Sequence, residues 1–327
     1  MGAHVYQLFS RWHYRVLLLL PLISLISIMY YCNRVLKILP ATYMELKKTT
    51  SFQIDSVLDV IDLREESSEN ITCIKSKDLP HIGSTTICLH NDRDAVSNII
   101  QSNRIWEEPL LVKILGALIR YPHMDFIDVG ANLGTYTMFA ASLGRSVLSI
   151  ECFKPNIERI RRAIQMEKVQ DKVILVGNAI YNESGKYLKM TSSPHNIGSQ
   201  EIIPDNDTNR TNNDVYVVKT IRFDDLLPVL KKKNIRHAVM KVDIQWSEVY
   251  LCETGGKIFD YVNIPVILME WERVMKHLFR MSAVLHFFLS RGYVATADMC
   301  KVLEYIDAFR SWPADIFWIK TNQSEFC

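Results

Sequence analysis

A short apolar run that ends in a glycine turn and leads directly into a helical stretch constrains the fold of this chain more than any other feature. The run is Asp125–Val129, the turn contains Gly130 and Gly134, and a helix is predicted over residues 135–143. Gly130 permits backbone dihedral angles that side chains with a Cβ avoid. A buried strand that turns at once into a helix is typical of α/β folds.

Strand and helix signals alternate along the rest of the chain. Apolar residues at helical spacing predict one or two helices between about residues 94 and 120, and residues 186–214 are predicted to be irregular and polar. A helix with proline in its first turn is predicted over residues 155–166. The alternation predicts a mostly parallel sheet covered on both faces. Further strands are predicted at residues 147–150, 173–176, 238–242, 265–269 and 315–319.

The turn after the first strand predicts a ligand site, because open α/β sheets bind ligands at the carboxyl ends of their strands. The glycines of this turn, Gly130 and Gly134, have the spacing G-x-x-x-G, and Asn132 stands where a dinucleotide motif has its second glycine. This spacing argues against NAD and FAD. The free N–H groups of the helix that follows suit a carboxylate of the ligand.

Glu151 follows the second strand, 17 residues after Gly134. An acidic side chain at this place can accept hydrogen bonds from both hydroxyl groups of a ribose. Taken alone, Glu151 would be an ordinary surface carboxylate. The glycine turn and the acid together indicate a nucleoside-containing cofactor.

Four segments resemble the FkbM family of methyltransferases: FIDVGANLGTYTMFAA, VLSIECFKPN, VMKVDIQWSE and VILMEWE. The resemblance covers roughly residues 88–320. It implies a Rossmann-like, seven-stranded methyltransferase fold that binds S-adenosylmethionine (SAM) and ends in an antiparallel strand, which fits DIFWI at 315–319. It also implies that Glu151 holds the ribose. The residues that by this resemblance shape the methionine pocket are Asp128, Gly130, Asn132, Gly134 and Tyr136.

The chain departs from the family pattern K-x-D-x-E-G-x-E, because Gln245 and Trp246 replace Glu-Gly. Asp243 and Glu248 match the pattern and are the predicted catalytic residues. A carboxylate at the end of the fourth strand suits a general base for a weak nucleophile. The alternative is that Asp243 only caps the following helix. Glu270, after the fifth strand, is a weaker candidate.

Residues 16–32 contain no charged side chain and would span about 25 Å as a helix, which is short for a bilayer. They predict an uncleaved transmembrane signal anchor, with a cleaved signal peptide as the alternative. The organisation that follows is a cytoplasmic tail at 1–15, a lumenal stem at 33–90 and the methyltransferase domain at 91–327.

All N-x-[ST] glycosylation acceptors lie after the apolar segment, as a lumenal domain requires. We therefore predict a single-pass type II protein of the Golgi or endoplasmic reticulum membrane. Cys73 and Cys88 flank a turn-rich stretch and could form a disulfide, although Cys300 and Cys327 are equally possible mates. The acceptors are Asn70, Asn182, Asn206, Asn209 and Asn322.

The formal net charge of +2 and the lack of a basic face argue against nucleic acid as a partner. No Cys or His cluster has the spacing of zinc ligands, and His195 is predicted to lie on the surface.

The predicted reaction is SAM-dependent O-methylation of a sugar hydroxyl on a glycan. The alternatives are an inactive lumenal protein that keeps the fold, marked by Gln245 and Trp246, and a lumenal glycosyltransferase. Against the latter, no Asp-x-Asp metal motif stands near a predicted strand end. Asp205-Asn-Asp207 occurs, but it overlaps a glycosylation acceptor in a polar loop.

Overall fold

The computed structural model describes residues 57–65, 70–90, 94–193, 195–207, 214–272, 274, 278–305 and 311–321. All of them belong to one compact unit, Ser56–Cys327. The predicted tail at 1–15 and the predicted anchor at 16–32 lie outside the described residues, as do the acceptors Asn209 and Asn322. Among the helices of the described ranges, none is both long and apolar enough to cross a membrane.

Helices and strands alternate through the described chain. The helices are α1 (Ala95–Asn103), α2 (Glu108–Arg120), α3 (Thr135–Ser142), α4 (Lys154–Glu167), α5 (Leu227–Lys232), α6 (Glu248–Thr254), α7 (Gly256–Tyr261) and α8 (Leu278–Ser290). The strands are β1 (Cys73–Lys75), β2 (Thr86–Cys88), β3 (Asp125–Val129), β4 (Val147–Ile150), β5 (Val173–Val176), β6 (Ala179–Ile180), β7 (Tyr187–Met190), β8 (Ile202–Asp207), β9 (Val217–Ile221), β10 (Ala238–Val242), β11 (Val266–Glu270), β12 (Tyr293–Thr296) and β13 (Asp315–Lys320).

The central sheet has seven strands in the order β12-β13-β11-β10-β3-β4-β5. Neighbours from β11 to β5 pair in parallel, and β13 pairs antiparallel with both β11 and β12. Two large apolar clusters, one on each face, pack the helices against it. The α/β class is therefore confirmed, and the final strand is antiparallel, as the resemblance implied.

The predicted strands at 147–150, 173–176 and 238–242 coincide with β4, β5 and β10. The prediction of an irregular region at 186–214 was wrong in part, because β7 and β8 form an antiparallel pair there. In β7 the buried Leu188 and Met190 alternate with the exposed Lys189. A run this short, with polar neighbours, gives only a weak period-two signal.

The described part of the predicted stem packs into the same core as the sheet. Leu79 and Ile87 are buried in the apolar cluster that covers one face. The backbone N–H of Ile61 donates to the carbonyl of Leu175, at the edge of β5, over 2.9 Å. Residues 57–65 and 70–90 are thus part of the domain in this structure.

Cys73 and Cys88 form a disulfide that links β1 to β2, where the two residues lie opposite each other. The pairing predicted first for these two cysteines is therefore confirmed. Cys300 is also disulfide-bonded.

Candidate functional site

A pocket lies at the carboxyl ends of the central strands, where the glycine turn predicted it. The turns after β3 and β10 form one wall, and the residues that follow β4 and β5 form another. The described residues of the segment 190–202, from the end of β7 to the start of β8, cover a third side of the pocket. Of the eight predicted site residues, the pocket is lined by Gly130, Asn132, Glu151 and Asp243.

Gly130 allows the turn after β3 to contact the turn after β10, and these two turns form the first wall. Its φ is +83°, and a Cβ built on it would lie 1.8 Å from the carbonyl oxygen of Asp243. Only glycine allows the turn after β3 to touch the end of β10 in this way. The N–H groups of Gly130 and Ala131 donate to the carbonyl of Ile150, which holds the turn against β4.

Glu151 is buried at the pocket, with 7% of its surface exposed. Its Oε2 accepts the N–H of Asn132 at 2.7 Å, and its Oε1 accepts the N–H of Phe153 at 2.8 Å. Burial raises the pKa of Glu151 to about 7, although these N–H groups and the Asn156 side chain lower it. A carboxylate oxygen has more than one lone pair, so both oxygens can still accept a hydroxyl of a ligand.

Asp128 and Gly134 lie beside the pocket and stabilise its framework. Oδ2 of Asp128 accepts the N–H and the hydroxyl of Thr137, at 3.1 and 2.6 Å, and so fixes the start of α3. Burial raises the pKa of Asp128. A Cβ on Gly134 would lie 3.0 Å from the side chain of Ile160. Gly134 therefore allows α3 to pack close to α4, whereas the resemblance implied that it shapes the methionine pocket.

Tyr136 is also buried away from the lining of the pocket. Its hydroxyl donates to Oε2 of Glu107 at 3.0 Å, and the Lys241 ammonium lies 5.2 Å from its ring centroid. Burial and the nearby charge of Glu107 raise its pKa well above the usual value. Tyr136 thus packs its ring near the ammonium group of the buried Lys241.

Asp243 links the buried Lys241 to the pocket, because it contacts the Lys241 ammonium and also lines the pocket. Its Oδ2 lies 2.9 Å from the Lys241 ammonium, and its Oδ1 accepts the Gln245 amide at 3.0 Å. Burial alone would lower the pKa of Lys241, but the charges of Asp243, Glu107 and Asp128 outweigh burial and raise it. Lys241 is therefore cationic at neutral pH and fixes the orientation of the Asp243 carboxylate.

Gln245 bridges two carboxylates, because its Nε2 also donates to Oε2 of Glu270 at 2.9 Å. The departure from the family pattern thus places an amide donor between Asp243 and Glu270. The backbone here is strained: φ is +45° at Gln245 and +76° at Trp246, values that bulky residues rarely adopt. Arg280 donates to the Trp246 carbonyl at 2.7 Å and helps to hold this turn.

Glu248 begins α6 and does not line the pocket that the described residues form. Its Oε1 accepts the N–H of Ile244 at 3.1 Å, within the turn that carries Asp243. Burial raises its pKa to about 7. These contacts give Glu248 a supporting position behind the turn, whereas Asp243 faces the pocket.

The segment 190–202 contributes Ile197, Gly198 and Gln200 to the pocket, none of which the sequence indicated. The N–H of Ile197 donates to Oδ1 of Asp94 at 3.0 Å, which tethers the segment to the start of α1. His195 is exposed, as predicted. No motif marks these lining residues in the polar stretch that contains them, so the sequence analysis did not identify them.

Among the described residues, no group of three or more His, Cys, Asp or Glu side chains is arranged to hold a metal ion. No family model matches the chain. No curated protein matches it either.

Several solved structures are similar to the chain. The cofactor-bound protein Rv0187 from MTB has a TM-score of 0.38 and 12% identity, over 66% of this chain and 81% of that one. An O-methyltransferase from Bacillus cereus, in complex with SAH, has a TM-score of 0.35 and 13% identity, over 69% and 98%. A SAM-dependent methyltransferase from Agrobacterium tumefaciens has a TM-score of 0.36 and 7% identity, over 79% and 72%. At these values no residue role transfers from those proteins to this chain.

Proposed function

We propose that this chain is a SAM-dependent methyltransferase of the kind that the FkbM resemblance implies. The observation that carries the proposal is Glu151, a buried carboxylate beside the Gly130 turn at the carboxyl end of the central sheet. A ribose with two free hydroxyls suits this carboxylate.

The residues of the pocket fit SAM in their chemistry. Glu151 would accept hydrogen bonds from the ribose hydroxyls, and the turn that contains Gly130 and Asn132 would lie along the methionine end. Gln245 offers a buried Oε1 that has no hydrogen-bond partner among the described residues. A buried polar atom of this kind suits a ligand that brings a donor. When bound, SAM supplies an electrophilic methyl group on a charged sulfonium.

Asp243 is the residue we propose as general base or orienting group. It lines the pocket, and 29% of its side-chain surface is exposed there. Lys241 and Gln245 each bind one of its oxygens, so the carboxylate is held in one orientation while each oxygen retains a lone pair. An acceptor hydroxyl could donate to that lone pair and release its proton as the methyl group is transferred.

The proposed acceptor is a sugar hydroxyl of a glycan in the secretory pathway, with the domain lumenal and the chain anchored through residues 16–32. The disulfide Cys73–Cys88 supports an oxidising compartment. Asn70 and Asn182, two of the predicted glycosylation acceptors, are exposed. Nothing of the anchor lies within the described residues, so this part of the proposal rests on sequence.

The proposal is tested by calorimetry with SAM and S-adenosylhomocysteine (SAH), followed by incubation with SAM carrying a labelled methyl group and a mixed glycan and glycoprotein pool. We expect binding of both ligands, and a gain of about 14 Da (one added CH₂, the methyl replacing a hydrogen) in an acceptor that mass spectrometry identifies. Absence of binding to either ligand would refute the proposal.

An inactive protein that keeps the fold is the second candidate. Gln245 and Lys241 occupy one lone pair on each Asp243 oxygen, and Gln245 stands where the family pattern has a carboxylate. The same experiment separates the two, because this candidate predicts that SAM binds and that nothing in the pool gains a methyl group.

A further inference from the structure

Gln200 carries an unusual pair of polar atoms in the segment that covers the pocket. Both its Nε2 and its Oε1 are buried, and neither finds a hydrogen-bond partner among the described residues. The side chain lines the pocket. Most buried polar atoms in native proteins are paired, so an amide with both ends unpaired indicates a partner that arrives with the ligand.

The contacts of Gly198 show where the chain lies just before Gln200. A Cβ built on Gly198 would lie 2.7 Å from Nδ2 of Asn132, so this part of the segment lies against the turn after β3. Asn132 in turn donates its backbone N–H to Glu151. The segment therefore passes over the turn that contacts Glu151, two residues before Gln200.

The pairing of Ile202 shows where the chain lies just after Gln200. Ile202 in β8 pairs with Met190 in β7. The Met190 sulfur lies 3.6 Å from the Cys152 sulfur, directly after Glu151 in the chain. Gln200 thus lies between the turn after β3 and the wall that follows Glu151. This wall adjoins Glu151, so a base attached to a ribose bound there can reach it.

The segment is held in place before any ligand binds. Asp94 is 1% exposed, and its two oxygens accept the N–H groups of Ile197 and Ser97, at 3.0 and 2.8 Å. The carbonyl of His195 accepts the N–H of Ala95 at 3.0 Å. These hydrogen bonds hold the segment that carries Gln200 against the start of α1, so its position does not depend on a bound ligand.

We propose that Gln200 hydrogen-bonds the edge of the adenine base of the cofactor and selects a purine that has a 6-amino group. A glutamine amide offers a donor and an acceptor side by side, and adenine offers a matching amino donor and ring-nitrogen acceptor. The inference rests on the proposed function, because it needs an adenosyl cofactor whose ribose is bound at Glu151.

The test is calorimetry with SAH and with an SAH analogue that carries purine, without the 6-amino group, in place of adenine. Wild type, Gln200→Leu and Gln200→Met are compared, and Gln101→Leu, an exposed glutamine in α1, is the matched control. Gln200→Met keeps the length of the side chain without its polar atoms. Far-ultraviolet circular dichroism establishes which variants are folded.

We expect wild type and Gln101→Leu to bind SAH about tenfold more tightly than the analogue, the scale of one buried hydrogen bond. Both Gln200 variants should bind the two ligands equally, at an affinity no higher than that of wild type for the analogue. Wild type that binds both ligands equally, or a folded Gln200 variant that still prefers SAH tenfold, overturns the inference and leaves the proposed function standing. Wild type that binds neither ligand overturns both.

Discussion

Replacing Glu151 by glutamine should remove a pH-dependent cost from the stability of the ligand-free protein. Burial raises the pKa of Glu151 from 4.5 to about 7. The folded chain therefore retains a proton that the unfolded chain releases between these two values. The resulting loss in the free energy of unfolding is absent below pH 4.5, grows as the pH rises, and is complete above pH 7. The difference between the two pKa values corresponds to about 3 kcal/mol.

The assay is urea unfolding of the wild type and Glu151→Gln at pH 5, 6, 7 and 8. We expect the free energy of unfolding of the variant, relative to wild type, to rise by about 2 to 3 kcal/mol between pH 5 and pH 8. The pKa values of Glu248 and Asp315 are also raised to about 7 by burial, but they contribute to both proteins and cancel in the difference. The matched control is Glu253→Gln, an exposed carboxyl in α6. A difference that stays constant across this pH range would refute the reasoning.

The same substitution should weaken ligand binding. A hydrogen bond to a charged group contributes about 1.5 to 3 kcal/mol, so losing the charge of Glu151 should weaken SAM binding about 10- to 150-fold at pH 8. Wild-type affinity should rise with pH through about 7, where Glu151 ionises, and the affinity of Glu151→Gln should not. Calorimetry that finds equal affinities for both proteins at pH 8 would mean that the ribose does not bind at Glu151.

Two further substitutions in the site, and one at the disulfide, should each have a measurable effect. Asp243→Asn should keep SAM affinity within a few-fold and reduce methyl transfer about a hundredfold or more in single-turnover assays, and normal turnover would move the base elsewhere. Gln245→Glu replaces the donor between Asp243 and Glu270 with a third carboxylate, so its unfolding free energy should fall as the pH rises from 5 to 8; a loss independent of pH would contradict this electrostatic reasoning. Replacing Cys73 and Cys88 together by serine should lower unfolding stability by about 3 kcal/mol, the value for a loop of this length, and an unchanged denaturation midpoint would show that the disulfide does not constrain the unfolded chain.

The sequence alone determined the positions of β3, β4, β5 and β10 and the turn at Gly130. These features are local, because a strand is marked by a few consecutive apolar residues and a turn by the backbone freedom of one glycine. The place of Glu151 followed from the same logic, since carboxyl ends of parallel strands meet at one edge of the sheet.

Only the tertiary structure decided which of the predicted residues face the pocket. Glu248 and Asp243 lie five residues apart and both carry carboxylates, yet Glu248 is buried against the Ile244 N–H while Asp243 lines the pocket. Gln200 reaches the pocket because Asp94, more than a hundred residues earlier in the chain, tethers the segment that carries it. Burial and hydrogen-bond partners of this kind depend on contacts between distant parts of the chain, which no local pattern of residues records.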